Sequence, residues 1–533
     1  MRVNGWRRQM EGKDLVGMYP EMGVTNPAQM LTMQSYLSNE DYLRSYFFRS
    51  DYRLMDKYVF AVSYRMDGSS KFQGKNKWGN FAAISGGWLV SEEEFFQSLI
   101  TVMNQLKLKA SYGQTGNNAI SSNAFTTNFS NAANNRYGDV SYISSGTVVS
   151  NLGNSSLTWE TTTNYDAGIT FGFFNNRLSG SLEYYYKDIS DMLFKRELPV
   201  STGLADNTIW DNVGDVANFG VDFSLTSVNF DTKKIKWTTT FNFSTNNNRV
   251  VSLTPAVDNG GKGMDYTDGT RNVTGKPIGT FFMADYAGID PDRGVEMIWE
   301  IDQDEYNKTG NTIKTGRKIP ATQANVKLHR YLFKDKTIVP KFFGGLNNSF
   351  SFANFDFNLF FTFSGGNYIY DYNLKRASYV HNGQTVLLAD LIGNMWEPGK
   401  LNAKYPLQSW GSQYNNAGWS SNADDPNFET GNEKGWWAES GAGDKNYNLE
   451  SANHSRFIYK GDYLRLKNLS IGYNLPKTLI SKIKLENVKI TLQATNLFTL
   501  TAYPGYDPEG KSYVETAGVP NLKNYNISIS AKL

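Results

Sequence analysis

The sequence predicts an all-β protein, a transmembrane antiparallel β-barrel with about fifteen strands in this chain. Three observations predict it. Segments of about nine to twelve residues alternate apolar and polar side chains, which is the length and pattern of a tilted strand that crosses a bilayer. Short and long connections alternate along almost the whole chain, and the polar faces are rich in Ser, Thr, Asn and Gly, as suits a water-filled lumen.

The composition agrees with this fold class. Aromatic residues make up 14 % of the sequence, almost all of them Tyr and Phe, and glycine is plentiful, a mixture that favours strands and turns over helices. No run of eighteen or more apolar residues occurs, so a membrane-spanning helix is not expected. Low average hydropathy is compatible with a membrane barrel, because its lipid-facing side chains occupy only alternate positions.

The stretch "KYVFAVSYRMDGSSKF", which begins at Lys57, illustrates the alternation. Tyr58, Phe60, Val62 and Tyr64 occupy every second position and then give way to a polar turn, so they form one apolar face of a strand. Fifteen segments fit this description. They lie at residues 44–53, 57–66, 79–90, 104–113, 162–173, 177–188, 215–228, 234–246, 277–288, 294–301, 341–352, 354–365, 461–475, 485–497 and 523–533.

The connections sort into two classes by length. Short ones include "LMD" after Arg53, "FNN" near Phe174, "NFDTK", "DPDR", the single Ala353 and "PKTLISKIK", whereas the intervening links run from about a dozen to nearly a hundred residues. A meander with all its long loops at one end describes an outer-membrane barrel with periplasmic turns and external loops. If "LMD" is a periplasmic turn, the last strand also runs inward and its lipid face carries Tyr525, Ile527 and Ile529.

The sequence lacks the residue types that several classes of functional site require. There is no Cys, and only three His residues occur, so thiolate metal sites, cysteine nucleophiles and histidine-based catalytic sites are not expected. With 53 basic and 51 acidic residues the charge is balanced, and nothing points to nucleic acid. We therefore expect no enzyme activity, no catalytic residues, no cofactor and no metal. Residues 1–20 lack the apolar core of a secretory signal, which leaves an intracellular, a mature or a partial chain.

Six stretches, taken in order, resemble the SusC/RagA family of TonB-dependent outer-membrane transporters. They are "YRMDGSSKFQGKNKWGNFAAISGGWLVSEEEFF" from Tyr64, "LKLKASYGQTGNN" from Leu106, "SSLTWETTTNYDAGITFGFFNNRLSGSLEYYYKDISDML" from Ser155, "NVGDVANFGVDFSL" from Asn212, "GDYLRLKNLSIGYNLP" from Gly461 and "TNLFTLTAYPGYDPE" from Thr495. Each stretch alone is a weak signal, but six in order are specific.

The resemblance covers only the C-terminal part of the family pattern, whose members have a signal peptide, a TonB-contacting segment, a plug and a barrel of twenty-two strands. It implies that residues 44–533 are the C-terminal portion of such a barrel, that residues 1–43 are part of an extracellular loop and that the plug is absent from this chain. Fifteen strands would be strands eight to twenty-two. Because an odd number of strands does not close alone as an ordinary bacterial barrel, we expect a fragment, a split gene product or a partial gene model.

The same resemblance implies import of oligosaccharides or peptides across the outer membrane of a Gram-negative bacterium. The implied partners are a SusD-like surface lipoprotein, the TonB system acting through the missing N-terminal part, and outer-membrane lipid. Two alternatives stay open from the residues alone: a secreted β-sandwich that binds or cleaves glycans, and a passive porin.

Tryptophans in the longest external loop are the candidate substrate contacts. An indole face stacks on the apolar face of a sugar ring while neighbouring amides bond its hydroxyls. The candidates are Trp410, Trp419, Trp436 and Trp437, with Trp396 in the same loop. The alternative is that these side chains pack the loop against itself or against the lipoprotein.

Two acidic clusters fit a metal site poorly. "DQDEYNKTGN" from Asp302 places Tyr306 where a calcium loop needs a ligand, and no Glu closes it at the required distance. "DNGGKGMDYTDGT" from Asp258, with Asp265 and Asp268, matches no ligand spacing. We interpret both as solvated loops.

Overall fold

The computed structural model describes residues 41–122, 124–137, 144–204, 207–267, 269–379, 387–406, 453–480, 485–510, 514–515 and 520–532, together with residues 7–11 and 32–36. For 7–11, 32–36, 514–515 and most of the hairpin between 128 and 151, only the backbone is described.

The strands, in chain order, are β1 (Arg7–Glu11), β2 (Thr32–Tyr36), β3 (Leu43–Leu54), β4 (Tyr58–Ser69), β5 (Trp78–Leu89), β6 (Met103–Asn117), β7 (Asn128–Tyr137), β8 (Ser144–Asn151), β9 (Glu160–Phe173), β10 (Leu178–Ser190), β11 (Leu193–Glu197), β12 (Thr208–Asn212), β13 (Gly214–Asp231), β14 (Ile235–Thr245), β15 (Asn247–Leu253), β16 (Met264–Thr267), β17 (Thr270–Asn272), β18 (Thr280–Ala284), β19 (Tyr286–Ile289), β20 (Glu296–Ile301), β21 (Lys314–Pro320), β22 (Arg330–Thr337), β23 (Phe342–Phe352), β24 (Phe355–Gly365), β25 (Tyr368–Asp371), β26 (Ile458–Lys460), β27 (Tyr463–Asn474), β28 (Asn487–Thr501), β29 (Val514–Glu515) and β30 (Asn524–Lys532).

Helices are short. They are α1 (Pro255–Asp258), α2 (Gln303–Thr309), α3 (Gln323–Leu328), α4 (Tyr372–Ala377) and α5 (Lys477–Ile480). Among the described residues, none of the helices combines the length and the apolar character that crossing a membrane requires.

One antiparallel sheet, which we call the wall, dominates the fold. Thirteen strands follow one another in it, in the order β3-β4-β5-β6-β9-β10-β13-β14-β23-β24-β27-β28-β30, and β15 pairs with the first part of β13. Within the described residues β3 pairs only with β4 and β30 only with β28, so the wall has two open edges. The predicted up-and-down antiparallel meander is confirmed.

The two ends of the wall differ, as the connection lengths predict. At the turn end, β3 and β4 are joined through Met55 and Asp56, both with positive φ (51° and 56°), as a tight hairpin turn requires. The longer turn between β5 and β6 is fixed by Glu93, whose carboxylate accepts hydrogen bonds from Tyr58 Oη at 2.7 Å and Trp88 Nε1 at 3.0 Å. At the opposite end, which we call the loop end, all the long connections leave the wall.

The outward face of the wall is apolar and does not pack against a second sheet. Directly paired residues place Ile84, Tyr112 and Tyr165 in one row across three strands. Ile84 is 55 % exposed, Leu182 42 % and Leu492 48 %, so large apolar side chains stay on the surface. A surface of this kind requires hydrocarbon beside it. This arrangement excludes the alternative of a β-sandwich, whose apolar faces meet each other.

For two of the fifteen predicted strands, the prediction that they belong to the wall is wrong. Residues 277–288 contain β18, which pairs with β17 and β22, and residues 294–301 contain β20, which lies in a separate three-stranded sheet with β19 and β21. Every residue of β18 is buried, and so are most of those in β20, so neither strand has a solvent or lipid face. Both belong to one long external loop between β14 and β23, and the wall keeps thirteen of the fifteen predicted strands.

Residues 1–43, predicted as part of an extracellular loop, lie mostly outside the described residues. The described backbone within them forms the antiparallel hairpin β1-β2. Strand β3 begins at the loop end, where the Tyr42 N–H donates to Ser70 Oγ at 2.9 Å.

The assignment of faces gives a direct test on two adjacent residues of β24. Leu359 lies on the outward face beside Leu469 of β27, and Asn358 lies on the lumen face, where it donates to Ser349 Oγ at 3.0 Å. Leu359→Arg should destabilise the assembled barrel by about 2–4 kcal/mol if it sits near the midplane, because it places a charge in lipid. Asn358→Arg should cost about 1 kcal/mol, the loss of one hydrogen bond.

The measurement is the fraction of heat-modifiable, folded receptor in outer membranes, followed by urea unfolding from lipid vesicles. Equal losses in the two variants would contradict this assignment of the faces.

Candidate functional site

The lumen face of the wall is largely polar. From β3 to β10 it carries charges that pair with one another, such as Lys109 with Glu183 at 2.5 Å. A concavity of about 460 Å³ lies there, lined by Arg49, Ser63, Asn164 and Asp166 among others. From β13 to β30 the same face is mostly uncharged. Its hydroxyl and amide side chains include Ser224, Thr226, Thr240, Asn242, Asn347, Ser349, Asn358, Ser470, Gln493 and Asn526. Such a surface can hydrogen-bond a polar solute.

A small core at the loop end joins two of the stretches that resemble the family, those from Tyr64 and from Ser155, with residues just after the stretch that ends at Asn118. Its buried side chains are Phe72, Phe81, Ile120, Ala124, Leu157 and Trp159. The Trp159 indole donates to the Lys77 carbonyl at 3.1 Å, and the Asn76 amide donates to the Leu157 carbonyl at 3.1 Å. The polar turn "DGSSKF" is thus closed by an aromatic residue, Phe72, that is fully buried. The signal for this core was the isolated apolar residue within a polar loop.

A larger core joins two external loops that are far apart in sequence. Residues 246–341 lie between β14 and β23, and residues 366–462 lie between β24 and β27; their described parts form what we call the loop body. The buried side chains shared by the two loops are Phe281, Met283, Ala284, Val295, Met297, Ile298, Ala321, Val326, Phe333, Tyr370, Tyr379, Phe457 and Ile458. These loops are therefore one folded unit with a conventional protein interior.

A buried charged cluster lies at the centre of the loop body. Glu296 of the first loop is fully buried and ion-pairs with Arg456 of the second. Its carboxylate also lies 3.0 Å from His454 Nε2 and accepts from the Tyr379 hydroxyl at 2.9 Å. Arg456 in turn donates to the Lys404 carbonyl at 2.7 Å. The cluster links the two loops through groups that are costly to leave unpaired.

The environment of Glu296 favours its ionised form. Burial by itself raises the pKa of the carboxyl, but the interactions with His454 and then with Arg456 outweigh burial and lower the pKa to about 2. Glu296 therefore stays ionised over the whole physiological pH range.

A second set of ion pairs, which we call the inner clamp, lies on the lumen face. Arg465 of β27 is buried and pairs with Asp507 and, at 2.6 Å, with Glu509. Lys467 pairs with Glu509 at 2.9 Å. Arg465 also donates to Thr499 Oγ1 of β28 at 2.9 Å, which fixes its direction toward the lumen. The clamp draws the loop after β28 onto the inner side of the wall.

The Asp507 carboxylate of the inner clamp accepts several hydrogen bonds, which stabilise its ionised form. Burial raises the pKa of Asp507, but the hydrogen bonds from Arg465 and from the N–H groups of Asn521 and Glu509 outweigh it and lower the pKa below its usual value. The clamp residues belong to the "GDYLRLKN" and "YPGYDPE" stretches, so sequence patterns far apart in the chain meet in one network. Opposite charges in both stretches were the signal that sequence reasoning missed.

The predicted substrate-contacting tryptophans are outside the described part of the chain. Trp410, Trp419, Trp436 and Trp437 all fall within residues 407–450, so their role stays a prediction. Trp396 of the same loop is described and is buried; its indole donates to the Pro291 carbonyl at 2.8 Å. Its ring also lies against Gly294, where a Cβ would come within 2.4 Å of it. At this residue the packing alternative applies.

The two acidic stretches have local structural roles where they are described. Asp302 caps α2 by accepting from the Glu305 N–H at 3.0 Å, so its segment is a helix rather than the expected loop. Asp265 pairs with Arg271 at 2.7 Å in the hairpin β16-β17. Asp258 lies in α1, and Asp268 is outside the described residues. Across the described ranges, no group of three His, Cys, Asp or Glu residues is placed to hold a metal ion.

A wall with an apolar exterior, a wet interior and long loops at one end defines a class, the outer-membrane β-barrels of Gram-negative bacteria. Comparison with known sequences places the chain within that class. Residues 4–497 match the family described as "TonB dependent receptor-like, beta-barrel", and the chain belongs to the TonB-dependent receptors.

Individual relatives support the same family assignment. TonB-dependent receptor P3 of Formosa agariphila is 32 % identical over 94 % of this chain and 47 % of its own length. TonB-dependent receptor SusC of Bacteroides thetaiotaomicron is 28 % identical over 94 % of this chain and 44 % of its own length. These relatives are named as receptors and not as enzymes. They confirm the predicted resemblance to SusC/RagA-type receptors.

The fold is shared with a solved structure, that of the RagAB peptide transporter. The match has a TM-score of 0.71 and 24 % sequence identity, and it covers 96 % of this chain and 50 % of that one. The chain spans about half the length of the curated relatives it matches.

Removing the charge of Glu296 should loosen both loops of the loop body together. Glu296→Gln leaves Arg456 buried without its anionic partner, and we expect the opening free energy of the loop body to fall by about 3–5 kcal/mol. The matched control is Glu300→Gln on the same strand, because Glu300 pairs with the largely exposed Arg317. That pair should contribute about 0–1 kcal/mol.

Hydrogen exchange of the purified full-length receptor measures both variants. Faster exchange confined to residues 296–301, with residues 454–460 unchanged, would contradict the joint opening of the two loops.

The stability that Glu296 contributes should depend on pH in a defined direction. Its folded-state pKa of about 2 lies below the ordinary value of 4.5, so the contribution is complete above about pH 4.5 and is lost as the pH falls toward 2. The difference in opening free energy between wild type and Glu296→Gln should therefore shrink as the pH is lowered from 6 to 3. Hydrogen exchange corrected for intrinsic rates measures it, and a difference that grows on acidification would oppose this assignment.

Proposed function

We propose that this chain supplies the C-terminal portion, residues 44–533, of the barrel of an energised nutrient importer in the outer membrane. The observation that supports it is the combination of a polar lumen with a folded loop body at one end, in a chain that belongs to the TonB-dependent receptors. Residues 1–43 would then be part of an extracellular loop, since β3 starts at the loop end. No catalytic step is proposed.

The two open edges of the wall are evidence that the complete barrel contains further strands. Unpaired N–H and C=O groups at an edge are prohibitively costly in lipid, so β3 and β30 need partner strands. Strands equivalent to the remaining half of the matched relatives would supply them and close a barrel of twenty-two strands. A lumen of that width is too large for side chains to fill, and a plug domain would control passage through it. The TonB system would act through that part of the receptor.

The position of the loop body favours a partner protein at the cell surface. The described residues of the loop body share one buried core at the loop end of the wall, and a SusD-like lipoprotein would sit on it above the lumen. The imported nutrient would be an oligosaccharide or a peptide. One solved relative in fold is named as a peptide transporter, and the hydroxyl and amide lining of β13 to β30 is compatible with either class.

An uptake measurement in the native host tests the proposal. Cells that express the complete receptor should accumulate tritiated oligosaccharides or tritiated peptides, and deletion of TonB should abolish accumulation. The assembly-defective Leu359→Arg receptor serves as the negative control. Accumulation that persists without TonB would indicate a passive porin instead, and the absence of accumulation of both classes would overturn the proposal.

A further inference from the structure

The loop after β28 has an unusual position. Strand β28 leaves the wall at Thr501, and residues 502–510 then turn back over the lumen face instead of extending outward. Their two carboxylates, Asp507 and Glu509, meet Arg465 and Lys467, which lie near the loop end of β27. The loop therefore lies at the outer mouth of the lumen, on its inner side.

The backbone of this loop is fixed at several points. Asp507 accepts from the Asn521 N–H at 2.9 Å, so the same carboxylate binds the outgoing and the returning chain. On the other flank, Tyr503 is buried and its hydroxyl donates to Asp371 of the loop body at 2.9 Å. Gly505 fits between them, and a Cβ there would lie 2.3 Å from the Asp371 carboxylate. The tip of the loop thus has little freedom to move.

One large side chain on this fixed tip is exposed. Tyr506 lies between Gly505 and Asp507 and is 74 % exposed, in contrast to Tyr503 and Asp507, which are buried. Among the described residues, no hydrogen bond or ring contact involves its side chain. An aromatic ring on a preorganised support loses little conformational entropy when it binds, which is the property of a contact residue.

We propose that Tyr506 contacts the imported nutrient at the mouth of the lumen and that Arg465 is the positioning residue that holds it there. This inference rests on the proposed function. The ligand chemistry that an exposed tyrosine recognises is a flat face of C–H groups with polar groups at its edge. A sugar ring and an aliphatic or proline side chain of a peptide both offer such a face, and the uptake assay distinguishes them.

The test uses the complete receptor in its host, with tritiated neutral oligosaccharides and tritiated peptides as separate probes. Tyr506→Ala should raise the half-saturating concentration of the imported probe about three- to tenfold, which corresponds to the loss of one aromatic contact. Tyr506→Phe should retain most of the affinity. The matched control is Tyr525→Ala, because Tyr525 is 70 % exposed but lies on the outward face of β30.

Arg465 is tested through its dependence on Tyr506. Arg465→Gln and, on the loop side, Asp507→Asn should each raise the half-saturating concentration in the wild-type background. Neither should raise it further in the Tyr506→Ala background, because a positioning residue acts only through the side chain it places. Surface abundance and heat-modifiability identify any variant that fails to assemble.

The outcomes separate clearly. Import by wild type with unchanged affinity in Tyr506→Ala, or an equal change in Tyr525→Ala, overturns the inference and leaves the proposed function standing. Additive effects of Arg465→Gln and Tyr506→Ala overturn the positioning role. Import of neither probe overturns the proposed function, and this inference fails with it.

Discussion

The interaction on which the rest of the structure depends is the unbroken antiparallel ladder of the wall. In hydrocarbon no water can satisfy a backbone N–H or C=O group, so each strand must pair with a neighbour on both sides. Of the thirteen consecutive strands in the wall, the eleven between β3 and β30 obey this rule within the described residues, and the alternation of side chains follows from it, because a paired strand presents one face to lipid and one to the lumen. Everything functional, including the loop body and the inner clamp, is attached to that frame.

Outside the bilayer a different rule holds. The loop body has a protein interior of its own, in which β18 is buried on both faces and the central charged groups pair with one another. Glu296, fully buried with Arg456 and His454, is an arrangement that would be unstable on the outward face of the wall and is sustainable in a packed interior. The inner clamp combines the two settings, because Arg465 belongs to the wall while its carboxylate partners belong to a loop.

The wall could be predicted from the sequence because a strand between lipid and water carries its pattern locally. Phe355, Phe357 and Leu359 alternate with polar residues whatever their neighbours are. The prediction of wall strands at residues 277–288 and 294–301 was wrong because the deciding information is not local. Strands β18 and β20 are as apolar as wall strands, and only their tertiary partners show that they lie in a protein interior. The Glu296 cluster could not be predicted either, since Glu296 and His454 are 158 residues apart and no local pattern connects them.

The shared core of the two external loops has a consequence for how such receptors diversify. The loops flank the hairpin β23-β24, so residues 246–462 form one continuous segment whose two outer parts interlock. If only one of the two loops were grafted from a related receptor, its core residues would face the unmatched core residues of the other loop. New binding properties in this region should therefore be inherited as a single block, hairpin included.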